Sequence, residues 1–175
     1  MACTRATGHI ASRGVAILLP LVGVRKHGRM TATSEPARPP APSGRDVIAQ
    51  FLPQSPFVVK LGIVADRLEE DEVRLRLPWD PSNVTIGDMV HGGAIATLAD
   101  LTVMAAAWCG AQAPPELRGV TVSMTLDFMA PARATDVIGI GRVLRRGRSL
   151  VNCEAEIVDP GGTLVAKALA TYKVG

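Results

Sequence analysis

The residues best suited to chemistry stand in one stretch, Val90-His91-Gly92-Gly93-Ala94-Ile95-Ala96-Thr97-Leu98-Ala99-Asp100. It opens a proline-free run of small and apolar residues that continues to about Cys109, with Leu98, Leu101, Ala105 and Trp108 at helical spacing. The stretch predicts one long helix. Glycine is an acceptable N-cap, and Gly92-Gly93 puts no side chain over the first backbone N–H groups, which stay open to a ligand. Between Met89 and Cys109 the only carboxylate is Asp100. A lone carboxylate on a helix fit for burial is costly unless something pairs with it or uses it. Helix N-termini stabilise negative charge developing on oxygen, and a carboxylate can serve as nucleophile or general base. The combination suggests acyl chemistry. Gly93 and Asp100 are seven residues apart, or roughly 10 Å along a helix, so one carbonyl cannot touch both. If both act on one substrate, the N–H groups come from one subunit and the acid from another, with two such helices antiparallel across a dimer.

Other elements must hold that helix. Asp46 to Leu52 reads as a short helix N-capped by Asp46, ended by Pro53 and Pro56. Val58 to Ala65 is a mixed apolar run that predicts a strand, and Glu72 to Leu77 alternates charged and apolar residues as a half-buried strand does. Pro78 to Val90 reads as loop, and Ala113-Pro114-Pro115 closes the long helix. Four strands follow: Val120 to Phe128, Val137 to Leu144, Leu150 to Val158 and Leu164 to Val174, with Asp159-Pro160-Gly161-Gly162 as a strong turn signal. Short gaps between the runs mean antiparallel pairing. The expected class is α+β, an antiparallel sheet against one long helix. Because that helix is apolar nearly all round, the sheet should wrap it or a second subunit should cover its other side.

A chain of 175 residues fits one domain with a sizeable core. The net charge of +3 conceals an asymmetry. Residues 1–45 hold seven Arg/Lys and one acid, whereas residues 46–175 hold twelve and fifteen. The basic character belongs to the N-terminal stretch, and the folded part offers no electrostatic case for nucleic acid. Residues 1–45 divide off as an N-terminal extension with a Pro-rich linker over 31–45, leaving 46–175 as the domain. The extension is basic and carries an apolar patch from Gly14 to Val24, too short to span a bilayer. It reads as a disordered extension, a targeting peptide, or a signal or anchor. Cys3, Cys109 and Cys153 make neither a zinc pattern nor a disulfide framework, so a reducing, cytoplasmic setting is the default. No membrane partner is expected. There is no Walker loop and no Gly-x-Ser-x-Gly elbow, and Gly139-x-Gly141 has Leu144 where a dinucleotide loop needs glycine.

The element order, with His91-Gly92-Gly93 opening the helix and Asp100 within it, resembles the hotdog-fold acyl-CoA thioesterases of the PaaI-like family. The resemblance covers about residues 46–175. It also rests on Asn83 and Gly87 upstream, on the strand from Thr121 to Met129-Ala130-Pro131-Ala132, on Gly147-Arg148, and on Gly162 to Ala166. It implies a hotdog fold, the sheet wrapped around the central helix, and metal-independent hydrolysis of acyl-CoA with coenzyme A as part of the substrate and no separate cofactor. It further implies Asp100 as nucleophile or general base, N–H groups near Gly92-Gly93 of the facing subunit polarising the carbonyl, and Asn83 holding that carbonyl or the water. Thr121 would position the water or the acid, and His91 would bond near the thiolate side and fix the loop. The implied assembly is a homodimer, or a dimer of dimers, with sites at the interface.

Plainer readings stand beside these. Asp100 could be a structural acid paired with an arginine, His91 a loop fastener, the glycines a tight turn, and Thr121 an ordinary strand residue. Arg145, Arg146 and Arg148 could hold coenzyme A phosphates or merely be solvated. Two other functions compete: a hotdog hydratase or dehydratase using a His91–Asp100 pair, and a non-catalytic acyl-CoA-binding module. Met104, Leu101 and residues near Trp79 are the expected pocket walls.

Overall fold

The computed structural model describes residues 42–70, 72–114 and 118–175. Expectations for residues 1–41, Cys3 included, lie outside the described residues. Helices α1 (Gly44–Phe51) and α2 (Pro56–Leu61) precede strands β1 (Val64–Leu68) and β2 (Val73–Leu77). A short hairpin, β3 (Val84–Ile86) and β4 (Met89–Val90), leads into helix α3 (Gly92–Cys109). Strands β5 (Gly119–Phe128), β6 (Val137–Arg146), β7 (Leu150–Val158) and β8 (Leu164–Val174) complete the chain. Six strands form one antiparallel sheet in the order β1-β2-β6-β7-β8-β5, with α3 packed across it. This is the expected α+β hotdog arrangement.

Helix α3 is long and apolar enough to cross a membrane by length and composition. Its apolar residues instead meet the sheet: Leu98, Ala99, Val103, Ala105 and Ala107 are fully buried. Close approach is possible because the sheet offers glycine beneath it. A Cβ on Gly139 would come within 2.2 Å of Thr102 Oγ1. The Gly139-x-Gly141 pair is thus a seat for a helix. Thr102 satisfies its buried hydroxyl by donating to the Leu98 carbonyl at 2.7 Å. One stripe of α3 escapes the sheet: Ala96, Thr97, Asp100, Leu101 and Met104, at helical spacing, are only half-buried.

Three expectations are corrected. Helix α1 starts earlier, N-capped by Ser43, with Asp46 three positions on in a reciprocal capping box. Asp46 imitates a cap in the sequence because the box places an acid as well as a hydroxyl at the helix start. The first half of the run Val58 to Ala65 is helix. Pro56 sits in the first turn of α2, and Gly62 ends it in the left-handed region at φ 70°, so only the residues from Val64 onward pair with β2. Pro78 to Val90 holds the β3–β4 hairpin, turned at Gly87 with φ 58°.

Two β-bulges alter which side chains face the helix. On β5, Thr121 pairs with Tyr172 and Ser123 with Thr171, so Val122 is the extra residue. Met124 and Leu126 oppose the buried Ala170 and Ala168. Simple alternation from those positions would put Val122 and Val120 inside and Thr121 outside. The bulge inverts this: Thr121 turns inward, and Val122 is left 56% exposed. On β6 the register slips between Val143 and Arg145, which turns Arg146 inward opposite the buried Val151 and leaves Leu144 exposed.

Candidate active site

Helix α3 presents the acid from its uncovered stripe. Asp100 Oδ1 accepts a 2.6 Å hydrogen bond from Thr121 Oγ1, delivered by the β5 bulge. Asp100 has no arginine partner among the described residues, and its Oδ2 makes no hydrogen bond there. The structural-acid reading therefore lacks its cation. Thr121 fixes the carboxylate through one oxygen and leaves the other for a substrate.

The N-terminus of α3 is built differently from expectation. The N-cap is His91, whose Nδ1 accepts the Gly93 N–H at 2.8 Å. The Ala94 N–H donates to the His91 carbonyl at 2.9 Å. The Gly93 N–H, expected to be open to a ligand, is therefore already used. The Gly92 N–H makes no hydrogen bond among the described residues. An imidazole accepting at Nδ1 carries its proton at Nε2 when neutral, so His91 keeps a donor but no free acceptor. Gly92 lines a recess with Ile95, Phe128 and Met129, whereas Gly93 and His91 line a separate cleft with Asn83 and Thr97. Asn83 is tied into that cleft by backbone bonds, its carbonyl accepting the His91 N–H at 2.8 Å.

The structure thus joins Asp100 to Thr121, and Asn83 to His91 and Gly93, and places Gly92 about two turns from Asp100. Gly92 to Asp100 is eight residues, roughly 12 Å of helix. The three arginines are separated. Arg146, turned inward by its bulge, donates from Nη1 to the Ala107 carbonyl at 2.9 Å, a cation at the C-terminal end of α3. Arg145 and Arg148 line a groove at the β6–β7 hairpin with Asn152 and Thr171.

A cavity of about 440 Å³ begins one turn beyond Asp100. Met104 lines it, as expected. Trp79 does not: it is 37% exposed, with its backbone N–H bonded to Asp136. Phe51, Trp108 and Tyr172 line this cavity and escaped the sequence reading, because α1 and β8 lie far from Asp100 along the chain. Trp108 alone carried a signal, sitting two turns from Asp100 on the same face. Cys109 and Cys153 are no candidates for nucleophiles, since burial pushes both thiols up to about 11.

Residues 87–166 match the thioesterase superfamily. The fold is the hotdog, and over those residues the chain is similar to that superfamily. Among its relatives is a protein of Saccharolobus solfataricus named "Putative esterase", 27% identical over 131 residues, which are 73% of this chain and 83% of the relative. A solved structure from Pseudomonas aeruginosa is 26% identical, with a TM-score of 0.64, and covers 75% of this chain and 99% of that one. A variant of the phenylacetic acid degradation protein PaaI from Thermus thermophilus shares the fold at 21% identity, with a TM-score of 0.61 over 69% of this chain and all of its own. The residues matched by the superfamily, 87–166, contain α3, the β5 bulge and the Thr121–Asp100 pair.

Proposed function

We propose that this chain hydrolyses acyl thioesters of coenzyme A to a carboxylic acid and free coenzyme A. The superfamily match and the esterase relative support ester or thioester hydrolysis in general. The observation that carries the finer reading is Asp100: half-buried, without a cation among the described residues, and held through one oxygen by Thr121. In the proposed reaction Asp100 either attacks the thioester carbonyl carbon, giving an acyl-aspartyl anhydride that water then hydrolyses to the free acid, or deprotonates a water that attacks that carbon. The Gly92 N–H of a second copy stabilises the oxyanion, the C–S bond breaks, and the sulfur leaves as thiolate and is protonated. Arg145 and Arg148, which line the groove at the β6–β7 hairpin, are the candidates for coenzyme A phosphates. Arg146 is not, being engaged at the end of α3.

The second copy follows from distance. No carbonyl reaches both Gly92 and Asp100 of one straight helix. The half-buried stripe of α3 and the edge strand β5, with exposed Val120, Val122 and Phe128, offer the surfaces for a homodimer. A hydratase using His91 as its base fits less well, because the acceptor nitrogen of that imidazole caps the helix.

Asp100→Asn tests the reading. It keeps the Thr121 partner and the shape, and kcat for acyl-CoA hydrolysis, followed by thiol release, should drop roughly 10²–10⁴-fold. Undiminished turnover by the folded variant would remove Asp100 from the reaction. Binding of acyl-CoA by the wild type without any turnover would establish a binding module instead.

A further inference from the structure

Phe128 sits on the inner face of the sheet and yet is left open. Its cross-strand partner is Ala166, which is fully buried, and cross-strand partners share a face. The ring therefore points to the side of α3, as Met124 and Leu126 do, but it is 56% exposed. It stands beside Gly92, the first residue of α3, beyond which the helix offers no further turn to cover it. A side chain on Gly92 would begin 3.5 Å from the ring.

One strand thus reaches both groups assigned to the reaction. On β5, Thr121 bonds Asp100 and Phe128 adjoins Gly92. The two are seven residues apart, an odd number, so unbroken alternation would send one of them to the outer face. The bulge at Val122 lets both face inward. The recess at Gly92 has a volume of about 360 Å³, and its walls include Ile95, Phe128, Met129 and Pro131. Thr85 brings the only polar side chain among its described lining residues. The Gly92 N–H, without a hydrogen-bond partner among the described residues, therefore lies in largely apolar surroundings. A hydrogen bond to developing negative charge is worth more where water is excluded.

We propose that Phe128 is a positioning residue for the hydrolysis: its ring keeps water off the Gly92 N–H, so that this donor meets the thioester oxyanion in an apolar recess. The proposal rests on the thioesterase reading, in which Gly92 of one copy serves Asp100 of another. Phe128 acts through Gly92 and takes no part in making or breaking bonds. Full negative charge appears on the oxygen only as the carbonyl is attacked. The effect of the ring therefore falls on kcat and spares KM.

Thiol release from acetyl-, hexanoyl- and benzoyl-CoA selects a substrate for wild type. On that substrate Phe128→Ala should lower kcat about tenfold or more and leave KM within about twofold. Phe128→Leu, which keeps apolar bulk over the glycine, should recover most of the loss. Phe128→Gln, which keeps length and brings water, should behave as the alanine variant does and serves if that variant does not fold. The deciding comparison repeats Phe128→Ala in Gly92→Pro, where no N–H remains to be shielded. There it should change kcat by less than about twofold. A loss of undiminished size in the Gly92→Pro background, a raised KM at unchanged kcat, or wild-type kcat in the folded variants overturns the role of Phe128 and leaves the thioesterase reading standing. Weakened pairing of subunits and general damage to the fold act equally in both backgrounds, so they give the first of these results. Full activity of Gly92→Pro alone removes the donor and this inference together, with Asp100 untouched. Failure of wild type to cleave any of the three thioesters overturns the thioesterase reading itself, and this inference with it.

Discussion

Thr121 and His91 each touch a neighbour that sequence order does not reveal, and each contact gives a distinct expectation. Thr121→Val preserves shape and removes the 2.6 Å bond to Asp100. Its kcat should fall about tenfold or more, with thermal stability changed little, since a hydrogen bond near the surface is worth only about 1 kcal/mol net. Equal kcat for variant and wild type would reduce Thr121 to an ordinary strand residue. His91→Ala removes an N-cap and should cost about 1 kcal/mol of stability. His91→Asn restores a capping side chain while removing the imidazole, so it should recover the melting temperature. Activity lost in both variants assigns His91 to the substrate; activity recovered with the cap assigns it to the helix. Asp100 was legible in the sequence because a charge in an apolar run stands out. The division of labour between Gly92 and Gly93 was not, because it depends on the histidine side chain turning back to take the second N–H. Tyr172 was invisible for a related reason, its place in the cavity wall arising only where β8, β5 and α3 meet.

At the scale of elements, the start of α3 permits an unusually local experiment. Gly92 is the first helical position, where proline is well tolerated, and His91 already has the extended backbone, φ −65° and ψ 132°, that a following proline requires. Gly92→Pro therefore deletes one N–H with little disturbance. The loss should resemble that of other oxyanion donors, about 10²–10³ in kcat, with the helix content by circular dichroism retained. Full activity would exclude this N–H from the reaction. The long helix and the four later strands were readable because their periods are clear and their lengths ample. The segment from Val58 to Ala65 was not: a short apolar run fits either period, and the proline before it and the glycine within it decided for helix. The bulges were also unreadable, because alternation over Val120 to Phe128 looks unbroken when only one strand is considered.

For the whole molecule, the shared-site proposal predicts complementation. Copies carrying Asp100→Asn mixed with copies carrying Gly92→Pro form hybrids in which one of two sites has both intact groups. With random pairing, roughly one quarter of the wild-type sites return. Activity no greater than the sum of the separate variants would place both groups in one chain and end the dimer argument. The outer face of the sheet carries an ion-pair ladder in which Arg142 meets Glu72 at 2.6 Å and Glu156 at 3.6 Å, and Lys167 meets Glu154 and Glu156. Glu72 is only 12% exposed, and hydrogen bonds from Arg74 first, then Arg142, hold its carboxyl below the ordinary value of 4.5. A depressed folded pKa contributes stability that is present above 4.5 and lost as pH falls through the folded value. Glu72→Gln should therefore lower the melting temperature at neutral pH and flatten its decline on the acid side; an unchanged acid limb would show the ladder to be ornamental. The bulge at Val122 has a reach of its own. It makes the chemistry depend on strand length: add one residue to β8 opposite it, so that Val122 is paired, and the threonine hydroxyl would face water while two valines turned toward the carboxylate, with no side chain of β5 changed. Anyone recombining this scaffold with a relative must count residues there before comparing side chains.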